Sequence, residues 1–154
     1  MTCRKISSLL WAKEGKNPWP KRKRLPKGSK GIGLSYEKAL AKALPQAEHG
    51  LWFEFCDRFG TGFCSPDLVL IGTGKILVLE AKLTNYPEAC EQLERLYLPV
   101  LEQVYKRPVL GAVVLKYLGP RTDISLVRTK VSDLLTFPKG TFPILHWLGR
   151  GPIL

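Results

Sequence analysis

In the stretch PDLVLIGTGKILVLEAK, Pro66 to Lys82, two short apolar runs flank a turn and carry their other charges at the outer ends. Asp67 opens the first run, and Glu80 and Lys82 close the second. Gly72-Thr73-Gly74-Lys75 between them reads as a hairpin loop. In that register Ile71 faces Ile76, Val69 faces Val78 and Asp67 faces Glu80. Side chains alternate along a strand, so Asp67, Glu80 and Lys82 share one face at one end of the hairpin. Leu68, Leu70, Leu77, Leu79 and Ala81 take the other. Directly opposed Cβ atoms lie roughly 4.5–5.5 Å apart, and like charges placed there destabilise a sheet. Two facing carboxylates therefore call for a cation. A hard divalent ion suits them, because Mg²⁺ takes oxygen ligands and combines one or two carboxylates with water and phosphate. Lys82 would then stand within reach of an attacking water or a phosphate. The plainer alternative is a pair of solvated strand ends with Lys82 as their salt-bridge partner.

The elements that must position these residues follow from the periodicity. SYEKALAKAL places Tyr36, Leu40, Ala43 and Leu44 on one helical stripe, with Ser35 as N-cap and Pro45 as terminator. GLWFEFCD alternates as a strand, with Leu51, Phe53 and Phe55 on one side, and FGTGFCS reads as a loop. After the hairpin, Pro87 opens a helix to about Tyr105 that Pro99 must kink or split. PVLGAVVLKYL is the continuous apolar run of a strand buried on both faces. A strand at ISLV, a short helix at KVSDLL and an aromatic tail from Phe142 to Trp147 complete the chain. The central order is α-β-β-β-α-β, an α/β fold.

Charge is distributed unevenly. The chain has 154 residues and a net charge of +11. Residues 1–33 hold ten Lys/Arg and one acid, giving +9, whereas residues 34–154 hold 14 bases and 12 acids, giving +2. Two segments are expected: a flexible basic arm over 1–33, and one domain over 34–154. Lys21, Arg22, Lys23, Arg24, Lys27 and Lys30 are its candidate phosphate contacts, and Trp11 and Trp19 flank them as stacking aromatics. Cys3, Cys56, Cys64 and Cys90 form no CxxC pair, so neither a zinc ribbon nor a disulfide framework is expected. No run reaches the length of a membrane span and the N-terminus lacks the pattern of a signal peptide, so a cytoplasmic protein with no membrane partner is expected.

Pro66-Asp67 followed by Glu80-Ala81-Lys82, in that order of elements, resembles the PD-(D/E)xK nuclease superfamily over about residues 34–118. The spacing of Asp67 to Glu80 is similar to that in archaeal-type Holliday junction resolvases, and virus-type replication-repair nucleases belong to the same group. The resemblance implies a restriction-endonuclease-like core, a mixed sheet flanked by helices. It implies that Asp67 and Glu80 bind Mg²⁺, or Mn²⁺ in its place, with help from the Ala81 carbonyl. Lys82 would position or activate the attacking water. Glu37 matches the acid that many members carry on the first helix, with Glu54 as the substitute if Glu37 points away. Gln92 matches a glutamine that some relatives carry on the helix after the motif.

The expected function is metal-dependent hydrolysis of DNA phosphodiester bonds, selective for Holliday junctions or other branched DNA, in recombination, repair or replication. A junction resolvase requires a homodimer. Two alternatives stay open: an exonuclease of the same superfamily, and a non-catalytic nucleic-acid-binding protein on a nuclease-like scaffold.

Overall fold

A computed structural model describes residues 5–19, 28–116, 142 and 144–146. The elements described are β1 (Trp11–Gly15), α1 (Ser29–Ala43), β2 (Glu48–His49), β3 (Trp52–Asp57), β4 (Gly60–Cys64), β5 (Leu68–Ile71), β6 (Ile76–Lys82), α2 (Tyr86–Gln92), a π-helical turn (Leu93–Tyr97), α3 (Leu98–Tyr105), β7 (Val109–Leu115) and β8 (Ile144–His146). The result is a mixed α/β protein with two sheets. The larger has the order β2-β5-β6-β7-β8, with β6, β7 and β8 parallel to one another, β5 antiparallel to β6, and β2 antiparallel to β5. The smaller is antiparallel, in the order β1-β3-β4.

The β5–β6 hairpin has the expected register. Leu68 pairs with Leu79, Val69 with Val78, Leu70 with Leu77 and Ile71 with Ile76. The Gly72 N–H closes the turn on the Lys75 carbonyl at 3.0 Å. Strands β5 and β6 read as apolar runs because both faces of their sheet are covered. Leu68, Leu70, Leu77 and Leu79, with Leu110, Ala112 and Val114 of β7, pack against Tyr36, Leu40 and Leu44 of α1. On the opposite face Val69, Ile76, Val78, Val113 and Leu115 meet Leu93, Val100 and Leu101 of the second helical layer, and Phe53, Phe55 and Cys64 of the small sheet.

Three boundaries differ from the sequence reading. Helix α1 starts at Ser29, six residues before Ser35, so its first turn lies within the segment expected to be a flexible arm. Gly28, at φ 73°, supplies the left-handed turn that lets the Ile32 N–H reach the Gly28 carbonyl at 3.1 Å. Gly31 and Gly33 are tolerated because a helix already docked along Tyr36, Leu40 and Leu44 extends at one hydrogen bond per residue. At the other end Leu44, placed before Pro45, leaves helical geometry at φ −120° and ψ 71°.

Residues 5–19 also depart from the expected arm. Trp11–Gly15, within the segment expected to be an arm, instead pairs antiparallel with β3. Ile6, Leu9 and Ala12 pack on the core. The loop expected at FGTGFCS contains β4, which Gly60 opens at φ 115° and which pairs with β3. Strand β3 therefore belongs to the small sheet and not to the central one.

Pro99 splits the long helix as expected, through a π-helical turn just before it. Lacking an N–H, Pro99 leaves the carbonyl of Arg95 without its helical donor. The Ile6 N–H takes that carbonyl at 3.0 Å. The N-terminal segment is also held by Arg58 N–H to Ser7 O (2.9 Å), Leu10 N–H to Cys56 O (2.8 Å) and Ser7 N–H to the buried Asp57 carboxylate (3.2 Å). Strand β7 is buried over its whole length, as its sequence predicted. The three described cysteines, Cys56, Cys64 and Cys90, are thiols outside any disulfide. The strand expected at ISLV and the helix at KVSDLL lie outside the described residues. No described helix is long and apolar enough to cross a membrane.

Leu40 is fully buried where α1 meets the hairpin. Leu40→Ala is expected to cost about 2–5 kcal/mol in urea unfolding. Thr73→Ala, on the exposed turn, should stay within about 0.5 kcal/mol of the parent.

Candidate active site

The ladder between β5 and β6 ends at Leu68 and Leu79. Beyond it two carboxylates replace backbone partners. Glu80 Oε1 accepts the Asp67 N–H at 3.2 Å, and Asp67 Oδ2 accepts the Ala81 N–H at 2.8 Å. Pro66 has no N–H to continue the pairing, so the strand ends here. A residue in a strand points its N–H and C=O to the same side. The Ala81 carbonyl therefore opens toward Asp67, past the last paired residue of β5. Glu80, 1 % exposed, sits on the central strand between β5 and β7.

Helix α1 brings Glu37 to the same place. Glu37 shares a hydrogen bond with Asp67, and its Oε1 lies 3.1 Å from His49 Nε2 on β2. Lys82 leaves the end of β6 and meets Glu88 of α2 at 3.3 Å. Glu88 is fixed in turn by Asn85, whose Nδ2 donates to Glu88 Oε2 at 2.8 Å and whose Oδ1 accepts the Glu88 N–H at 3.1 Å. Asn85 thus caps α2 and holds the partner of Lys82 at once.

The electrostatics follow from burial. Desolvation pushes the Asp67 carboxyl up to about 7, the charge of Glu37 adds to the rise, and the Ala81 N–H, Lys82 and Glu80 offset part of it. Glu80 is driven well above the usual carboxylate range, first by burial and next by the charge of Asp67. Burial also raises Glu37, against the hydrogen bond with Asp67 and the charges of Lys82 and Lys38. Among the described residues, Lys82 is the one cation that acts on all three carboxyl groups. The cluster is therefore short of positive charge, and protons or a bound cation must supply it.

Glu37, Asp67, Glu80 and Lys82, and the Ala81 backbone, thus come together. Glu54 does not: it lies on the outer face of the small sheet and pairs with Lys13 at 3.5 Å. Gln92 ends α2, one turn beyond Glu88 on the same helix face, and its Oε1 is buried with no hydrogen-bond partner. Lys30 falls within α1, whereas Lys21, Arg22, Lys23, Arg24 and Lys27 lie outside the described residues. Sequence reasoning missed His49, Asn85 and Glu88. Asn85-Tyr86-Pro87-Glu88 was legible as a helix start with an acid at the third position. His49 carried no signal, being one residue of a two-residue strand.

Among the described residues, no group of three or more His, Cys, Asp or Glu side chains is arranged to hold a metal ion by itself. The donors that do converge, two carboxylates and a backbone carbonyl, suit a hard dication that completes its shell with water and phosphate. Comparison with protein-family models, with curated proteins and with solved structures finds no match for this chain. The site must be read from its own chemistry.

Raised carboxyl pKa values have a definite sign in stability. Asp67 near 7 when folded and about 3.9 when unfolded means that the folded state binds more protons between those pH values. Stability is then greatest below about pH 4 for this group and falls as pH rises toward 7 and just beyond. Asp67→Asn keeps an acceptor for the Ala81 N–H and removes the titration. In EDTA it should raise stability at pH 8 by on the order of 2–4 kcal/mol, a gap that narrows steadily toward pH 4, measured by urea unfolding across pH.

Proposed function

We propose that the chain is a divalent-metal-dependent deoxyribonuclease on a restriction-endonuclease-like core. The observation that carries this reading is the pair of buried carboxylates, Asp67 and Glu80, each bonded to the other strand's backbone beside one lysine. A scaffold gains nothing from them, because their burial without a cation opposes folding. The Ala81 carbonyl completes the donor set, and Glu37 stands beside Asp67 to support it. Mg²⁺ fits the set, and Mn²⁺ would substitute.

When bound, the ion supplies Lewis-acid charge to the phosphate oxygens and to the reacting water. The remaining work belongs to the chain. Asp67 and Glu80 hold the ion and, through their backbone bonds, keep the strand ends from shifting. Lys82, anchored by Glu88, hydrogen-bonds the attacking water and sets its line of approach. Water adds to phosphorus, one P–O ester bond breaks, and the proton that the water sheds ends on the departing oxygen. The basic residues Lys21, Arg22, Lys23, Arg24, Lys27 and Lys30 contribute phosphate contacts that hold DNA near the site. Action on a Holliday junction would require two such sites in a homodimer.

The test is a cleavage panel of single strand, blunt duplex, flap and four-way junction, each in Mg²⁺ and in EDTA. Cutting is expected in Mg²⁺, absent in EDTA, and reduced at least about 100-fold by Asp67→Ala, Glu80→Ala or Lys82→Ala, with folding checked by circular dichroism. Binding without cutting in both Mg²⁺ and Mn²⁺ would hand the chain to the non-catalytic reading. Preference for the junction together with a dimer in sedimentation supports a resolvase, and progressive loss of end label supports an exonuclease.

Two further outcomes are expected. Mg²⁺ in the millimolar range should raise the melting temperature of the parent at pH 8 and leave that of Asp67→Asn unchanged, because an ion bound only by the folded state stabilises it. Replacing Lys21, Arg22, Lys23 and Arg24 together by Ala should reduce the slope of log affinity for duplex DNA against log salt by up to about 3.6, with the fold intact.

A further inference from the structure

The small sheet has a solvent face that the site does not use. In β1, β3 and β4 the inward residues are Ala12, Phe53, Phe55, Gly62 and Cys64. Directly opposed residues share a face, so the outward rows are Trp11, Cys56 and Thr61, then Lys13, Glu54 and Phe63, then Gly15 and Trp52. An antiparallel sheet with one solvated face normally turns polar residues outward. This one turns out two tryptophans and a phenylalanine. Trp11 is 39 % exposed and Phe63 40 %, and Trp52 belongs to neither core cluster. Phe59, at the tip of the β3–β4 hairpin, is 71 % exposed.

The aromatics are interleaved with cations. Lys13 Nζ lies 5.4 Å from the centre of the Trp11 ring, and the Arg58 guanidinium 5.5 Å from that of Phe59. Among the described residues, Glu54 is the acid on this face, and Lys13 neutralises it at 3.5 Å. Glu14 turns to the other side, where Tyr105 donates to it at 3.0 Å, and Asp57 is buried. The chain continues from β1 into the densest run of Lys and Arg in the sequence.

We propose that this face binds unpaired nucleotides, the bases stacking on Trp11, Phe63 and Phe59 while Lys13 and Arg58 meet the phosphates. Flat π surfaces spaced along a cationic sheet take any base and do not read sequence. A stacked duplex withholds its base faces, so the surface selects single-stranded or frayed segments. Phe63 precedes Asp67 by four residues, at most about 14 Å of chain. A strand lying on the face would thus be led to the carboxylates. That guiding role rests on the nuclease reading; the binding itself does not, and it is measured without cleavage.

The experiment uses the full chain in EDTA, with an end-labelled oligo(dT) of about 20 nucleotides and a blunt duplex of equal length, read by fluorescence anisotropy. Trp11→Ala, Phe63→Ala and Phe59→Ala are each expected to weaken oligo(dT) binding by roughly 5- to 150-fold and duplex binding by less than about 2-fold. Trp11→Phe should recover most of the loss. Thr73→Ala, outside both the face and the site, should bind oligo(dT) like the parent, and because binding is read in EDTA without cleavage, a failed site and a failed face give different results. Several outcomes overturn the proposal: a parent that does not bind oligo(dT), well-folded Ala variants that bind it like the parent, or equal losses on both DNAs. A dimer that Trp11→Ala or Phe63→Ala converts to a monomer, with oligo(dT) binding unchanged, would assign the face to a second copy instead.

Discussion

Two carboxyl groups buried side by side at the end of the central hairpin are the constraint around which the rest is arranged. Asp67 and Glu80 cannot both be ionised there without a counter-charge, and Lys82 is too little for three acids. The fold holds them together by using each as a backbone acceptor for the opposite strand. Neither can swing away without leaving a buried N–H unpaired, which costs about as much as the hydrogen bond it lost. The strain is therefore fixed in place and not relaxed.

That fixing depends on cover from both sides. Helix α1 seals one face of the hairpin and delivers Glu37. The second helical layer seals the other face, and α2 at its near end delivers Glu88 to Lys82. Each layer thus has a packing face and, one or two residues away, a polar group aimed at the strand ends. Glu37 follows the buried Tyr36, and Glu88 precedes the buried Ala89. Packing and electrostatics are coupled by adjacency in sequence, so a helix rotated by one residue would lose both.

How much of this was legible depended on the range of the interaction. The hairpin register followed from a four-residue loop and strict alternation, and with it the meeting of Asp67 and Glu80. Pro99 announced the break in the second helix, and the uninterrupted apolar run of β7 announced a strand buried on both faces. The small sheet was not legible, because β1 is a five-residue strand whose partner among the described residues, β3, lies about forty residues away. Its outward Trp11 and Lys13 look in sequence like part of a basic arm. Gly31 and Gly33 hid the start of α1, since their low helix propensity is overridden by the docked turns that follow. Glu88 was hidden for another reason: its role depends on where Lys82 ends, a fact of the tertiary fold.

The carbonyl that Pro99 leaves open has a consequence in time. Ile6 fills it, across nearly ninety residues of chain. During synthesis β1 emerges before its partners: Cys56 must follow before β1 can pair, and Arg95 before Ile6 can be anchored. At about 5–20 residues per second, that wait lasts from several seconds to nearly twenty. Until Cys56 follows, about half that interval, Trp11 and its neighbours are a solvated, cationic peptide beside the ribosome, itself rich in RNA. The segment that closes the small sheet is made long before the residues that secure it.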